Sequence, residues 1–428
     1  MEEPNKVSKS GSIPRELSRV KSFFAKMGPG VVTGAADDDP SGISTYSATG
    51  AALGFTQLWT VFLTFPLMCA VQLMCARLGL VTGEGLSAAI RKRYSPGVLW
   101  FSCSLLVVAN VVNIGADLSG MAESLEMVTH FPRVFWLFAL TIGILLAVVF
   151  WSYRNLARIF KFLTLSLFAY IIAAFLAKPD WAQVVEATFI PHVSWDQKYL
   201  ATLVGILGTT ITPYMFFWQS SQEVEELHAK GARKSATEEE LVDAKQDVLV
   251  GMGWAGVAMY FIILTTATTL HKPGAPPIET AQQAAEALRP VAGDSAYLLF
   301  ALGIVATGIL AVPVLAGSAA YAIAEAMNFP GSLDSKPVVG KKFYFVVVVS
   351  VLLGLCLDAF HISAVKALFY AAVLNGVLAP PLVFLVTRLT SSEAVMGEHK
   401  NGKVLTTLGY LASGIMSVAA VALLITSL

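Results

Sequence analysis

Long apolar runs separated by short polar segments dominate the chain. A membrane-spanning helix needs about 20 consecutive, mostly apolar residues, and eleven runs approach or exceed that length. They lie at about 28–54, 56–79, 97–121, 133–152, 156–177, 197–226, 247–270, 293–326, 342–360, 362–387 and 404–427. The pattern therefore predicts an all-α membrane protein with about eleven transmembrane helices.

The first and the sixth of these spans are interrupted by a proline beside polar residues. The first contains GAADDDPSG, with Asp39 before Pro40, and the sixth contains GTTITPYMFFWQSS, with Thr212 before Pro213. A residue that precedes proline is disfavoured in helical backbone, so we expect both spans to be unwound there. Paired, broken segments at matching positions of two halves are typical of inverted-repeat transporters and indicate where the substrate binds.

This pairing gives the predicted domain organisation. A single transmembrane domain over 23–427 contains two inverted five-helix repeats and an extra helix. We place the first repeat at about 28–177, the second at about 197–387 and the extra helix at about 404–427.

Composition and charge agree with a protein built for lipid. Only 14% of the residues are charged and the mean hydropathy is +0.67, whereas soluble domains contain about 25% charged residues. The formal net charge is zero, so nothing suggests a nucleic-acid partner. The four cysteines lie in apolar spans without a CxxC pair, which argues against a thiolate metal site or disulfides.

The Lys and Arg residues predict the orientation. If residues 1–22 form a cytoplasmic tail, 23 of the 29 basic residues fall in segments on the cytoplasmic side. Because basic residues concentrate in cytoplasmic loops, we expect a multi-pass protein of the inner (plasma) membrane with its C-terminus outside.

Acidic residues at the first break predict a cation site. A carboxylate inside the bilayer is costly and is usually functional, and the carbonyl end of a half-helix also attracts positive charge. The breaks offer carboxylate, hydroxyl and carbonyl oxygens, which suit the hard ions Mg²⁺, Ca²⁺ and Mn²⁺. One carboxylate, Asp39, among small residues and hydroxyls matches a partly hydrated Mg²⁺. For Asp37 and Asp38, lining the cavity and capping a loop that faces water remain alternatives.

Other polar residues within spans are weaker candidates. Asp117 could relay a proton or an ion, or pair with a nearby donor. Asn110 and Asn113 share a helix face, where bonding between helices is favoured over lining the path. Asn375 precedes Pro380 and Pro381 in a span that could face the site.

Three stretches resemble the NRAMP family of divalent metal transporters. GPGVVTGAADDDPSGIST is similar to its first-helix motif, whose signature is Asp-Pro-Gly-Asn, and CARLGLVTGEGLSAAIRKRY is similar to its second-helix stretch. GTTITPYMFFWQSS lies where the family has Met-Pro-His. The resemblance covers about 28–387. It implies the LeuT-like fold, in which two inverted five-helix repeats are followed by an extra helix.

The resemblance also implies a ligand set and shows where this chain departs from it. Asp39 and the carbonyl groups of Ala36 and Thr209 would face the ion, together with Thr212, which replaces the thioether Met. Further replacements along the pathway or cavity are Gly42 for Asn, Tyr214 and Gln219 for the two His, and Gly120 for the Glu that accompanies the acidic residue matched by Asp117.

These departures resemble a bacterial branch of NRAMP-related magnesium transporters. Loss of the sulfur ligand removes selectivity for soft ions, and loss of the His residues removes groups that titrate near neutral pH. The predicted function is import of Mg²⁺, and of Mn²⁺ as well, by alternating access without obligate proton coupling.

The alternative is a proton- or sodium-coupled transporter of another substrate on the same scaffold, namely a transition metal, a trivalent metal or an amino acid. No catalytic motif such as GxSxG, HExxH or a Gly-rich phosphate loop is present, so an enzyme is not expected. The ion is substrate and no cofactor is expected. The predicted partners are a divalent metal ion and the lipid bilayer, and the protein is expected to be a monomer.

Overall fold

Helices form almost all of the structure, a computed structural model that describes residues 33–34, 36–150, 167–229, 231, 235–272, 274, 277–333, 340–358 and 362–427. The predicted tail over 1–22 lies outside these residues. Short helical pieces at 33–34 and 36–37 precede the first break, which we define as residues 38–39. The helices of the first half are α1 (Pro40–Leu53), α2 (Thr60–Thr82), α3 (Leu86–Arg93), α4 (Pro96–Thr129), α5 (Arg133–Phe150), α6 (Phe168–Leu176) and α7 (Trp181–Phe189).

The second half begins with another broken span. We define its interruption, residues 211–212, as the second break. The helices are α8 (Gln197–Thr210), α9 (Pro213–Ala229), α10 (Glu238–Leu270), α11 (Ala281–Ala285), α12 (Arg289–Ala292), α13 (Ala296–Met327), α14 (Lys341–Leu357), α15 (Ala364–Thr390), α16 (Glu393–Met396) and α17 (Lys403–Ser427).

Hydropathy places the spans well and their ends less well. Within the described residues, eight helical segments are long and apolar enough to cross a membrane. The three other predicted spans are the broken run at 28–54, the run at 156–177, of which 156–166 lies outside the described residues, and the run at 342–360, where α14 has 17 residues. Helices also continue past the apolar runs, since α4 ends at Thr129 rather than near 121.

The polar segment at about 222–246 is largely a continuation of two spans. Helix α9 extends to Ala229, and α10 begins at Glu238. The start of α10 is fixed by a capping box, in which the Thr237 hydroxyl accepts from the Glu240 backbone N–H and the Glu240 carboxylate accepts from the Thr237 backbone N–H. Most of the described part of this segment is therefore helix.

The two halves interlock around the breaks. Helix α1, the second half of the first span, packs on α10, and α9, the second half of the sixth span, packs on α2. The long helices α4 and α13 pack against each other beside them. Each half thus provides the support for the broken span of the other, as expected for the LeuT-like fold that the resemblance implies.

Close backbone contacts hold α8 against α15. A Cβ on Gly208 would lie 2.0 Å from the carbonyl oxygen of Ala372 and 2.3 Å from the backbone nitrogen of Gly376. Small residues of this kind let transmembrane helices approach closely. The contact fixes α8, and with it the second break, against α15.

The start of α8 is set by polar residues outside the span. The side chain of Asp196 accepts from the backbone N–H of Tyr199, 3.0 Å away, and from the Ser194 hydroxyl. The Ser194 bond and then the Tyr199 bond lower the pKa of the Asp196 carboxyl group. An ionised N-cap is stabilised by the positive end of the helix dipole.

Large apolar side chains cover the outside of the bundle. On α5, Phe138, Leu146 and Phe150 are 52%, 53% and 76% exposed. In water such a surface would aggregate, whereas lipid tails solvate it. The broken sixth span is instead enclosed. Of the apolar 18-residue stretch within the segment Gln197–Ala229, 89% is buried inside the protein.

Candidate functional site

The first break is a helix start organised by a carboxylate. Asp39 has extended backbone, with φ −68° and ψ 172°, and is the N-cap of α1, with Pro40 in the first turn. Its Oδ1 accepts from the Ser41 hydroxyl at 2.6 Å and from the Gly42 backbone N–H at 2.7 Å. The predicted unwinding before Pro40 is confirmed, and it exposes the Asp39 side chain to the interior of the bundle.

The second break also lies directly before a proline, but the residue there is the neutral Thr212 instead of an aspartate. Helix α8 ends at Thr210, Ile211 has φ −124° and ψ 67°, and α9 begins at Pro213. Thr212 therefore lies in non-helical backbone, as predicted from its position before proline. The Thr212 side chain is buried, and its hydroxyl lies beside the Tyr214 side chain.

Each proline also leaves one carbonyl group without its helical donor. In an α-helix, the carbonyl of residue i accepts from the N–H of residue i+4, and proline has no N–H. Pro40 therefore cannot serve the carbonyl of Ala36, and Pro213 cannot serve that of Thr209. These are the two carbonyls that the family resemblance assigned to the ion, and a rule of proline minus four finds them from the sequence alone.

Contacts between the two breaks bring these groups together. The Tyr214 hydroxyl donates to the carbonyl of Ala36 at 2.9 Å. A Cβ on Gly42 would lie 3.1 Å from Thr209 Oγ1 and 3.3 Å from the carbonyl oxygen of Asp37. Gly42 thus leaves room where α1 meets the end of α8, and a side chain such as Asn would crowd both neighbours.

A third element, α4, reaches Asp39 from the side. Asn113 Nδ2 donates to Asp39 Oδ2 at 2.9 Å, and Asn375 Nδ2 on α15 donates to Asn113 Oδ1 at 3.3 Å. Asn375 therefore reaches the first break through Asn113. Asn110, one turn away, instead bonds to the Leu315 carbonyl and the Ser318 hydroxyl. The favoured expectation of bonding between helices is thus confirmed for both residues, and Asn113 also contacts Asp39, which the spacing did not predict.

Four buried acidic residues surround this point. Asp37, Asp38, Asp39 and Asp117 are at most 1% exposed, and the charge of Asp117 lies near that of Asp39. The carboxylate oxygens of Asp37 and Asp38 have no hydrogen-bond partner among the described residues. Buried charge without compensation is strongly unfavourable, so this arrangement is suited to receive a cation.

The donor set is made of oxygen and contains one carboxylate, that of Asp39, held by hydrogen bonds. No group of three or more His, Cys, Asp and Glu side chains arranged to hold a metal occurs in the described part of the chain. Gln219, predicted to line the cavity, lies off the centre, where its amide accepts from the Thr33 hydroxyl at 2.5 Å and donates to Glu223 at 2.8 Å. An ion at the breaks would therefore depend on Asp39, the freed carbonyls, the Thr212 hydroxyl and water.

A family comparison agrees with this geometry. The profile described as natural resistance-associated macrophage protein-like, or NRAMP, matches residues 30–426. The chain belongs to the NRAMP family. The match extends past 387, where the motif resemblance ended.

Named relatives lie within the same family. The chain is 30% identical to the divalent metal cation transporter MntH of Deinococcus radiodurans over 322 residues, covering 71% of this chain and 69% of that one. It is 26% identical to MntH of Yersinia pestis over 406 residues, covering 93% of each. These relatives are named as transporters and not as enzymes, which agrees with the prediction from the sequence.

Solved structures confirm the fold. A crystal structure of the Eremococcus coleocola manganese transporter has a TM-score of 0.76 at 19% identity, covering 97% of this chain and 90% of that one. MhsT in complex with L-phenylalanine has a TM-score of 0.57 at 13% identity, covering 93% and 97%. The NRAMP chain is thus an integral membrane protein with a LeuT-like fold, as the sequence predicted.

Proposed function

We propose that this NRAMP protein imports Mg²⁺, and also Mn²⁺, by alternating access. The observation that carries the proposal is the oxygen-only set at the two breaks: the Asp39 carboxylate, the carbonyls of Ala36 and Thr209, and the Thr212 hydroxyl. Mg²⁺ keeps several waters and is commonly bound through one or two carboxylates. A site with one hydrogen-bonded carboxylate and neutral oxygens fits a partly hydrated ion.

The residues that replace soft and basic groups support this choice of cargo. Thr212 offers a hydroxyl instead of a thioether, and sulfur ligands are what favour softer metals. Mn²⁺ also accepts oxygen ligands, so it is the second cargo. A substrate carboxylate, as in an amino acid, is disfavoured because the first break already concentrates Asp37, Asp38 and Asp39.

The proposal includes transport driven by the membrane potential without obligate proton coupling. Tyr214 and Gln219 stand where the resemblance has two His, and neither side chain titrates near neutral pH. The Tyr214 hydroxyl donates to the Ala36 carbonyl, and the Gln219 amide accepts from Thr33 and donates to Glu223. We further propose a monomer in the inner membrane, with its N-terminus in the cytoplasm and its C-terminus outside.

The test is uptake into sealed liposomes with a fluorescent indicator for Mg²⁺ and a second one for internal pH. A negative-inside potential should drive Mg²⁺ and Mn²⁺ uptake, with no matching acidification and no need for a sodium gradient. Strong acidification that depends on the metal would overturn the uncoupled mechanism. Uptake of a trivalent metal or of amino acids, but not of Mg²⁺, would overturn the choice of cargo.

The matched variant is Asp39→Asn, because an Asn oxygen can still cap α1. We expect it to fold and to lose Mg²⁺ uptake, since the charge that compensates the ion is gone. Uptake at the wild-type rate in this variant would remove Asp39 from the site.

A further inference from the structure

Three basic side chains surround the point where α13 ends. Asn328, the C-cap of α13, accepts from the guanidinium of Arg91 on α3 at 2.9 Å. The next residue, Phe329, has the ammonium nitrogen of Lys342 on α14 at 5.8 Å from its ring centroid. Lys341 directly precedes Lys342 at the start of α14. Two helices that are distant in the chain thus bring Arg91, Lys341 and Lys342 together, and we call these three residues the basic patch.

The charges of the basic patch have no acidic partner in the described part of the chain. Arg91 bonds to a neutral amide, and Lys342 lies over an aromatic ring. Lys92, the neighbour of Arg91 on α3, is by contrast paired with Glu84. Lys341 and Lys342 are both exposed. The basic patch therefore keeps a positive charge that a ligand can reach.

The link that follows α13 is held against α14, so the basic patch is part of the packed bundle. The Leu333 backbone N–H donates to the Tyr321 hydroxyl on α13 at 3.2 Å. The Leu333 carbonyl accepts from the Tyr344 hydroxyl on α14 at 3.0 Å. A Cβ on Gly331 would lie 2.5 Å from Phe343 Cβ, so the two segments touch. The end of α13 and the start of α14 are thus fixed relative to each other.

Exposed apolar side chains lie directly beside these charges. Met327, the last residue of α13, is 60% exposed, and Phe345 on α14 is 68% exposed. Residues four apart share a face of a helix, so Phe345 continues the face of Lys341. Leu352, two turns beyond Phe345, is also exposed. The surface is therefore basic at the start of α14 and apolar along the helix.

We propose that the basic patch binds the headgroup of an anionic phospholipid, whose acyl chains contact Met327 and Phe345. A phosphodiester supplies the negative charge that the patch lacks, and basic pockets between transmembrane helices recognise anionic headgroups. The apolar surface along α14 favours a lipid over a soluble anion, because only the lipid covers both parts. The inference depends on the fold and on the membrane, and not on the proposed cargo.

The test is native mass spectrometry of the purified full chain, titrated with phosphatidylglycerol and with phosphatidylcholine that carry the same acyl chains. The wild type should bind the anionic lipid more tightly. In the double variant Lys341→Gln/Lys342→Gln, the ratio of the phosphatidylcholine to the phosphatidylglycerol dissociation constant should fall by about tenfold, because each basic residue near an anionic lipid strengthens binding. Arg91→Gln should lower this ratio by a smaller factor, and it covers the case in which the double variant does not fold.

The matched control removes the same charge at the start of another long helix. Lys400→Gln/Lys403→Gln lies at the beginning of α17, where Lys400 is already paired with Glu393, and it should keep the wild-type ratio. An equal loss in this control would show an effect of net charge alone and would overturn the patch. Equal binding of the two lipids by the wild type would overturn charge recognition. Displacement of the lipid by soluble glycerophosphate at the same concentration would show that the apolar surface plays no part.

Discussion

The hydroxyl of Tyr214 donates a 2.9 Å hydrogen bond to the carbonyl of Ala36, and this bond joins the two breaks. Ala36 has lost its helical donor because Pro40 follows four residues later, and Tyr214 follows Pro213 at the start of α9. The carbonyl left without a donor in the first broken span thus accepts a hydrogen bond from a side chain of the second broken span. It also occupies an oxygen that the proposed site assigns to the ion.

Tyr214→Phe should lower the stability of the metal-free protein and increase the stabilisation that Mg²⁺ produces. The variant leaves a buried carbonyl unpaired, at a cost of about 1–3 kcal/mol, and the same carbonyl becomes available to Mg²⁺. Thermal unfolding in detergent should show a lower midpoint and a larger upward shift on adding Mg²⁺. Tyr410→Phe, at a side chain that is 40% exposed, is the control and should change neither quantity. An equal Mg²⁺ shift in wild type and Tyr214→Phe would argue that Ala36 does not face the ion.

Thr212→Met should move selectivity toward softer ions. The Thr212 side chain is buried in the second break, so a thioether placed there would add a soft ligand. The ratio of Cd²⁺ to Mg²⁺ uptake in liposomes should rise. Thr212→Leu adds similar volume without sulfur and should lower transport of both ions alike. If Met and Leu behave identically, Thr212 does not contact the ion.

The sequence determined the spans and the two breaks because hydropathy and proline act locally. It did not determine helix ends outside the membrane, as at Thr129 and Ala229, because helical hydrogen bonding continues where apolar residues stop. The contact of Asn113 with Asp39 was not predicted for a different reason. Spacing shows that Asn110 and Asn113 share a face of α4, but only packing decides that one contacts α13 and the other Asp39.

Asp37→Asn should stabilise the metal-free protein and weaken its response to Mg²⁺. Asp37 and Asp38 are buried, adjacent and without hydrogen-bond partners among the described residues, so removing one charge removes desolvation cost and repulsion. We expect a higher unfolding midpoint without Mg²⁺, a smaller shift with it, and slower uptake at low Mg²⁺. Asp38→Asn should act in the same direction. Asp180→Asn, at the exposed N-cap of α7, should leave all three unchanged, and a lower metal-free midpoint in Asp37→Asn would contradict the argument.

Gly208→Ala should disrupt the packing that holds the second break. The added Cβ would lie 2.0 Å from the Ala372 carbonyl oxygen, and neither backbone can move without separating α8 from α15. We expect a loss of more than about 3 kcal/mol, beyond the range of most single substitutions, seen as reduced yield and a lower unfolding midpoint. Gly143→Ala on α5 meets nothing within 4 Å and should be neutral or slightly stabilising, because Ala favours helix over Gly by about 1 kcal/mol. Similar behaviour of the two variants would count against the close contact.

Glu325 connects three helices, α13, α9 and α3, and its removal should loosen their contact. Its carboxylate accepts from Ser221 Oγ on α9 at 2.7 Å and from the Ala88 backbone N–H on α3 at 3.2 Å. A native cysteine lies close by, since Cys103 is 1% exposed, with its sulfur 3.6 Å from Ser87 Oγ. Removing the carboxylate leaves two buried donors unpaired, at about 1–3 kcal/mol each.

Glu325→Ala should therefore expose Cys103 to a membrane-permeable maleimide. The measurement uses a Cys356→Ser background, because Cys356 is exposed and would react in every sample. Labelling of Cys103 should accelerate in Glu325→Ala. Glu325→Gln retains one acceptor oxygen and should fall between it and wild type. Glu393→Ala removes an exposed ion pair with Lys400, which contributes little, and should label at the background rate. Equal labelling in Glu325→Ala and Glu393→Ala would show that the carboxylate does not hold α9, α3 and α13 together.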